Sequence, residues 1–248
     1  MEETAFLEYL AEDGRLTSPD NVPPPYRREL LRLMAGFVDS ELAGAAGFAE
    51  VINLAPGLEG RRLMARLVLE KLGHAERVLA LMVPFGTDPS RYVSLHPWQA
   101  RVARAQDLGQ RRQPGDMRLN VFHYPFAGWA DALVMNLLMG QASVLQLQEL
   151  ARCSYQPLAE ACAEIAPAEE AHMLDGLRLL EPLADAEGEA LAASLAYWRP
   201  RVADSFGSDD SPRLEPMRRY GLRHTANAAL RGRWEAALAE RLATIGLG

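Results

Sequence analysis

The sequence has 248 residues, 49% hydrophobic and 24% charged, a balance typical of a globular protein that can bury a core. Its formal net charge of −7 argues against nucleic acid as the main partner. It contains no run of 18 apolar residues, its acidic start does not resemble a signal peptide, and its two cysteines suit a reducing compartment, so we expect a cytoplasmic protein without a membrane segment.

Alanine and leucine dominate and alternating β-branched runs are nearly absent, which predicts an all-α fold. After a mixed acidic segment over residues 1–22, a first long helix is expected from about Tyr26 to Asn53. Its apolar face includes one carboxylate: Leu30, Met34, Phe37, Glu41, Ala45, Phe48. Because an unpaired charge is costly in a core, Glu41 is expected to have a buried partner.

A second long helix is expected from about Leu58 to Met82, after the break at Pro56–Gly57. Its apolar face contains two ionisable residues: Leu67, Lys71, His74, Val78, Leu81. The neighbouring Glu70 is expected to point elsewhere, since it lies one position away from this face.

The connection from Pro84 to about Pro125 has a weaker pattern, with a short helix predicted over Trp98–Leu108. It is locally basic, with Arg101, Arg104, Arg111, Arg112 and Arg118. These arginines can be interpreted as a solvated basic surface or as an anchor for the phosphates of a cofactor-like substrate.

A third long helix is expected from about Phe126 to Cys153, and Gly140 lies at the centre of its apolar face. A fourth follows the turn at Tyr155–Pro157, and Pro167 is expected to kink it. Its face reads Leu158, Cys162, Ile165, Glu169, His172, Gly176, Leu179. A turn at residues 186–189 and helices over about 190–202 and 213–245 complete the chain.

Four long helices with polar residues on their inner faces predict a four-helix bundle with additional C-terminal helices. In the carboxylate di-metal bundles, two helices each provide a Glu and two others each provide Glu-x-x-His. Glu169 and His172 form a complete motif of this kind, because residues three apart share one face of a helix. His74 instead follows Lys71, and the third helix offers only Gly140.

Eight short stretches carry a further signal: Pro25–Arg28, Asp39–Glu41, Leu72–Ala75, His123–Pro125, Gly128–Asp131, Arg152–Tyr155, Glu169–His172 and Phe206–Pro212. In these stretches, and in their order from about residue 22 to 246, the sequence resembles a known family. This family is the ferritin-like phenylacetic acid catabolic proteins, which include the catalytic subunit of phenylacetyl-CoA epoxidase complexes.

This resemblance implies one ferritin-like domain, with a bundle core over about residues 26–183 and C-terminal helices over about 190–246. It also implies a di-iron centre that uses O₂ to epoxidise the ring of an aryl-CoA thioester, working with a separate reductase and a related structural subunit. The family's ligand positions fall on Glu41, Lys71, His74, Gly140, Glu169 and His172. Four match in type, whereas Lys71 replaces a bridging Glu and Gly140 replaces an Asp or Glu.

Three hypotheses describe this site, and they imply either no cofactor or iron. Lys71 could replace the metal by bridging Glu41 and Glu169, with both histidines as hydrogen-bond partners. A single metal could instead use some of Glu41, His74, Glu169 and His172. A rebuilt two-metal site would have to recruit Asn136, Gln141 or Glu170. If the site is otherwise intact, a Lys71→Glu, Gly140→Asp variant is expected to gain metal affinity.

Two functions follow from these hypotheses. The first is a non-catalytic or regulatory relative of the aryl-CoA oxygenase subunits that acts through assembly. The second is an active metal-dependent oxygenase that acts on an aryl- or acyl-CoA thioester. Arg32 is a candidate contact for a CoA phosphate, and a plain surface arginine is the alternative. The long amphipathic helices predict an oligomer, formed with another copy or with a paralogous subunit.

Overall fold

The protein is described by a computed structural model that covers residues 3–247, apart from the side chains of Glu3 and Asn21. The start Met1–Glu2, which entered the signal-peptide expectation, lies outside this range. The predicted all-α fold is confirmed, and four long helices form the bundle. In chain order the helices are α1 (Glu3–Ala11), α2 (Pro24–Val51), α3 (Gly57–Met82), α4 (Pro89–Val93), α5 (Trp129–Leu150), α6 (Gln156–Ala203), α7 (Leu214–Arg219) and α8 (Asn227–Thr244).

Between residues 3 and 247, no helix combines the length and the apolar character that crossing a membrane would need.

The apolar core consists of two clusters, and a layer of polar residues separates them along the bundle. On α3, Leu67 belongs to one cluster and Ala75 to the other, and Lys71 lies between them. On α6, Ile165 and Met173 flank the polar layer in the same way. The helical period that builds the core therefore also places the polar residues of α2, α3 and α6 at one level of the bundle.

The C-terminal part differs from the prediction of one helix over residues 213–245. It forms α7 and α8, separated by residues 220–226, and Gly221 has a φ of +61°. The buried carboxylate of Glu149 accepts hydrogen bonds from the backbone amides of His224 and Thr225 and from the Thr225 hydroxyl. These amides satisfy a buried carboxylate instead of a helical carbonyl, which explains the interruption.

The helix predicted over Trp98–Leu108 is also absent from the described structure. The Arg118 guanidinium donates to the backbone carbonyls of Pro97, Trp98 and Ala100 over 3.1 to 3.4 Å. Arg101 donates to the Trp98 carbonyl as well, over 2.7 Å. Side chains thus occupy the acceptors that a helix would need for its own amides.

Three of the connecting arginines therefore act inside the protein, which neither interpretation of the basic segment anticipated. Arg118 is only 2% exposed and forms an ion pair of 2.7 Å with Asp116. Arg104 forms an ion pair of 2.8 Å with Asp131 at the start of α5. These contacts bind the long connection to the bundle.

Pro167 lies inside α6 without ending the helix, and the kink predicted there stays a prediction. Inside this helix the dihedral angles leave the helical region at Glu187, with φ −129° and ψ 25°. Pro167 and Ala163, whose carbonyl loses its helical donor, both lie on the exposed side. Water can therefore satisfy the freed carbonyl, and the predicted turn at residues 186–189 is a kink within one long helix.

Candidate functional site

The polar layer of the bundle contains the residues that the sequence singled out. Glu41 comes from α2, Lys71 and His74 from α3, and Glu169 and His172 from α6. Glu41, Lys71, Glu169 and His172 are each buried, and the His74 side chain is 12% exposed. Each pair on α3 and on α6 is three residues apart, so each helix presents both side chains from one face.

Lys71 lies at the centre of this layer, between two carboxylates. Its Nζ is 3.2 and 3.5 Å from the two oxygens of Glu41 and 3.0 Å from each oxygen of Glu169. Burial alone would lower the pKa of Lys71, but the adjacent charges of Glu169 and Glu41 raise it well above its usual value. The side chain is therefore an ammonium at neutral pH.

His74 adds a second positive charge to the same pair. Its Nδ1 lies 3.2 Å from Glu169 Oε1 and 3.4 Å from Glu41 Oε2. Burial alone would lower the pKa of His74, but Glu169 and Glu41 raise it to about 9. Burial opposes ionisation of Glu169 too, yet Lys71 and His74 hold its pKa at about 2. Lys71 and His74 thus both face the carboxylates of Glu41 and Glu169 as positively charged groups.

His172 has a different partner from the one expected. Its Nδ1 is 3.9 Å from Glu169 Oε1, whereas its Nε2 contacts the carboxylate of Glu70. The expectation that Glu70 points elsewhere is wrong. Arg66 and Arg77 lie along the same edge of α3 and also pair with acidic residues of α6. The helical spacing of Arg66, Glu70 and Arg77 could therefore have predicted that Glu70 faces α6.

On the α5 side of the bundle, α5 packs closely against α6 at Gly140 and Gly176. A Cβ atom on Gly140 would lie 2.8 Å from the Cβ of Met173 and 3.2 Å from its Cγ. A Cβ on Gly176 would clash with the amide of Asn136, which donates to the His172 carbonyl over 3.1 Å. A side chain at the position that would provide a fourth carboxylate therefore requires α5 and α6 to move apart. The gain of metal affinity expected for the Lys71→Glu, Gly140→Asp variant stays a prediction.

We expect Gly140→Ala to lower the free energy of unfolding by about 1–3 kcal/mol, because the added methyl overpacks the α5–α6 contact. Met173→Ala should not relieve the effect, since the opposing atom is the Cβ that alanine keeps. Met173→Gly should relieve it, so the double variant loses less stability than the sum of the two single changes. Urea denaturation would measure the parent, the three single variants and the two double variants.

The matched control is Gly232→Ala on α8, where an added Cβ meets no atom within 4 Å. It should raise stability by about 0.5–1 kcal/mol, the helix preference of alanine over glycine. A Gly140→Ala variant as stable as the parent would show that α5 and α6 can separate easily.

The side chains that a rebuilt two-metal site would need have other partners. Asn136 binds the His172 carbonyl, as described above. Gln141 Oε1 accepts a hydrogen bond of 2.6 Å from Arg241, which also lies 3.8 Å from Glu170. These contacts hold the three candidates outside the Lys71 group.

The described residues can be compared with what iron would need. Glu41, His74 and Glu169 each offer a ligand atom, and these atoms lie within 4.8 Å of one another. Two carboxylates and an imidazole are suitable donors for one iron ion. However, the ammonium of Lys71 lies within 3.5 Å of all four carboxylate oxygens. The arrangement therefore does not fit a two-metal centre.

A cavity of about 290 Å³ adjoins the group, and Glu41 forms part of its wall. Most of the lining is apolar, including Phe37, Phe122 and Met139. Four arginines also line it: Arg32, Arg112, Arg213 and Arg223. Arg32, the predicted CoA contact, is thus placed at this cavity, although no pattern in the sequence groups it with the other three.

The fold and the inward-facing Glu-x-x-His motif define a ferritin-like helical protein with the helix arrangement of the carboxylate bundles. The profile of the phenylacetic acid catabolic protein family matches residues 7–248, and the chain belongs to that family. It is 25% identical over 240 residues to a subunit of the 1,2-phenylacetyl-CoA epoxidase of Escherichia coli (strain K12). The alignment covers 94% of this chain and 72% of that protein, and the predicted family resemblance is confirmed.

Proposed function

We propose that this protein is a family member in which an internal ion-pair group has replaced the di-iron centre. It does not oxidise a substrate, and it serves as a ligand-binding or regulatory subunit. The observation that supports this function best is the position of the Lys71 ammonium, 3.0–3.5 Å from every oxygen of Glu41 and Glu169.

The electrostatic argument favours an ammonium over iron at this position. Two Fe²⁺ ions need several carboxylates to offset their charge, and of the family's four carboxylate positions only Glu41 and Glu169 still hold one. Lys71 and His74 already neutralise both. A divalent ion that entered beside the ammonium would meet a repulsion of about 4 kcal/mol per unit charge pair at 4 Å and an effective dielectric constant of 20.

Lys71 is also the only lysine in the chain, and every other residue of the Lys and Arg group is an arginine. An ammonium is a compact point charge with three donors on a flexible stem, whereas a guanidinium is a broad planar fork. Among the two cationic side chains, lysine is the one that resembles a metal ion in size. The single use of lysine at this point agrees with selection for that property.

The cavity supports the proposal that this protein still binds a ligand. Its apolar wall suits an aryl or acyl group, and its arginines suit phosphate or carboxylate oxygens. By its name, the Escherichia coli relative acts on phenylacetyl-CoA. We therefore propose an aryl- or acyl-CoA thioester as the ligand, with Arg32 among its phosphate contacts. That relative is also one component of an enzyme with several, which supports assembly with a partner subunit here.

The single lysine allows a direct test of the proposed site. Protein produced with iron in excess and with lysine labelled at ¹⁵Nζ should give one side-chain signal, that of a protonated and slowly exchanging Lys71. Metal analysis of the same sample should find well below one iron per chain. A positive control is Lys71→Glu, which adds a third carboxylate and should retain iron under the same conditions. Two tightly bound irons in the parent protein would overturn the proposal.

The second candidate function is that of an oxygenase with a single iron. It is favoured by the ligand atoms of Glu41, His74 and Glu169, which lie within 4.8 Å of one another. It predicts one iron per chain and a shift of the Lys71 signal to that of a solvent-exposed or neutral amine, so one sample distinguishes the two functions.

A further inference from the structure

One face of α3 points away from the bundle and carries large apolar side chains. Leu58 is 79% and Leu69 is 70% exposed. We define the α3 outer face by seven exposed residues: Leu58, Arg62, Ala65, Leu69, Gly73, Glu76 and Ala80. At 100° per residue they all lie within about 40° of Leu69, in a strip about 33 Å long. Exposed leucines in such a strip are characteristic of an interaction surface.

The α3 outer face itself carries two charged residues, Arg62 and Glu76. The charges along one of its edges, Arg66, Glu70 and Arg77, pair with residues of α6. Arg62 and Glu76 have no opposite charge within 4 Å among the described residues, although both are exposed. They lie seven residues before and seven residues after Leu69, which is two helical turns on either side. Within this face, one unpaired charge of each sign is thus placed symmetrically about an exposed leucine.

We propose that the α3 outer face binds the α3 outer face of a second copy of this chain, antiparallel, about a two-fold axis at Leu69. Arg62 then meets Glu76 of the partner subunit, and the symmetry forms this ion pair twice. Ala65 faces Gly73 of the partner subunit. A methyl group on Gly73 would contact nothing within 4 Å in one copy, so this position has space for a close helix neighbour.

Self-complementarity is what identifies a second copy as the occupant. A parallel pairing of the same faces would place Arg62 against Arg62 and Glu76 against Glu76. The antiparallel pairing removes both repulsions and also brings Leu58 onto the small Ala80 at each end. The α3 outer face is therefore complementary to itself when the order of its residues is reversed. Binding to an unrelated protein would not require this property.

Sedimentation velocity of the full chain over a concentration series tests the proposal. The parent should form a dimer. Arg62→Glu and Glu76→Arg should each weaken it by on the order of tenfold in Kd or more, because each change creates two like-charge contacts. An equimolar mixture of the two variants should dimerise again, since every Glu at position 62 then faces an Arg at position 76. Circular dichroism would check that both variants remain folded.

The control variant is Arg233→Glu, which reverses an exposed charge on α8 and should leave the Kd unchanged. A monomeric parent would overturn the proposal. So would variants that dimerise as the parent does, or a mixture that stays monomeric.

Discussion

Replacing Lys71 with methionine should lower the free energy of unfolding by about 3–5 kcal/mol, the cost of breaking a buried ion pair by removing one partner. Methionine keeps most of the volume of the lysine stem but leaves Glu41 and Glu169 facing each other with only His74 between them. Both carboxylates are almost fully buried, so water can replace the lost ammonium only in part, through the cavity beside Glu41. Urea denaturation followed by circular dichroism would measure the change.

Two comparisons separate this effect from a general loss of packing. Arg66 lies on α3, as Lys71 does, and forms an exposed ion pair with Asp175 of α6. Arg66→Met removes one partner of this pair and should cost about 0–1 kcal/mol. A triple variant that adds Glu41→Gln and Glu169→Gln to Lys71→Met removes the unpaired charges and should regain most of the stability. If Lys71→Met is as stable as the parent, the ammonium is not what holds these carboxylates.

The same variant should respond to metal in a way that the parent does not. Without the ammonium, Glu41, His74 and Glu169 form a three-ligand group for a divalent cation. Zn²⁺, which is redox-inert, should raise the unfolding temperature of Lys71→Met, because a ligand that binds only the folded state stabilises it by mass action. Adding Glu169→Gln should abolish the increase. This outcome would show that the lysine and a cation are alternatives at one position.

The helical period of the sequence could predict this group because its members occupy core positions. Glu41, Lys71, His74, Glu169 and His172 all interrupt apolar faces, and a buried charge demands a partner. Lys71 was therefore predictable as a bridge once four helices were assigned. What periodicity does not encode is the distance between helices.

Gly140 illustrates that limit. The sequence places Gly140 on the apolar face of α5, where the family has a carboxylate ligand. It also places Gly176 on the apolar face of α6. Two glycines on facing helices are a signal of close approach, but the Cβ contact with Met173 depends on the final packing. Glu70 was missed because it lies beside the core face and reaches His172 through a long side chain.

The errors outside the bundle have a common cause, which is long-range hydrogen bonding of side chains to the backbone. Glu149 binds the amides of His224 and Thr225, which are far away in sequence. Arg118 binds carbonyls about 20 residues before it. Helix propensity describes only interactions between residues that are close in sequence. It therefore predicted helix over Trp98–Leu108 and through residues 220–226, where distant side chains bind the backbone groups that a helix would use.

Asp131→Ala should cost about 3–5 kcal/mol, because one buried carboxylate joins three parts of the fold. It accepts hydrogen bonds from Arg104 at 2.8 Å, from the Ala127 amide at 2.9 Å, from the Ser194 hydroxyl at 2.6 Å and from Trp198 Nε1 at 2.9 Å. These donors come from the connection, from the residues before α5 and from the second half of α6. Removing the carboxylate leaves the buried Ser194 hydroxyl and the buried Trp198 indole N–H without their acceptor, and it releases Arg104 and the Ala127 amide.

Asp131→Asn keeps the size of the side chain and one acceptor oxygen, so it should lose less, about 1–3 kcal/mol. Asp107→Ala is the matched control. Among the described residues this exposed carboxylate binds only the Gly109 amide, so its loss should stay within about 0.5 kcal/mol. Tryptophan fluorescence adds a local readout, since the Trp198 indole loses its acceptor in Asp131→Ala. Equal stability of Asp131→Ala and Asp107→Ala would mean that Asp131 does not join these segments, and that α5 is positioned by apolar packing alone.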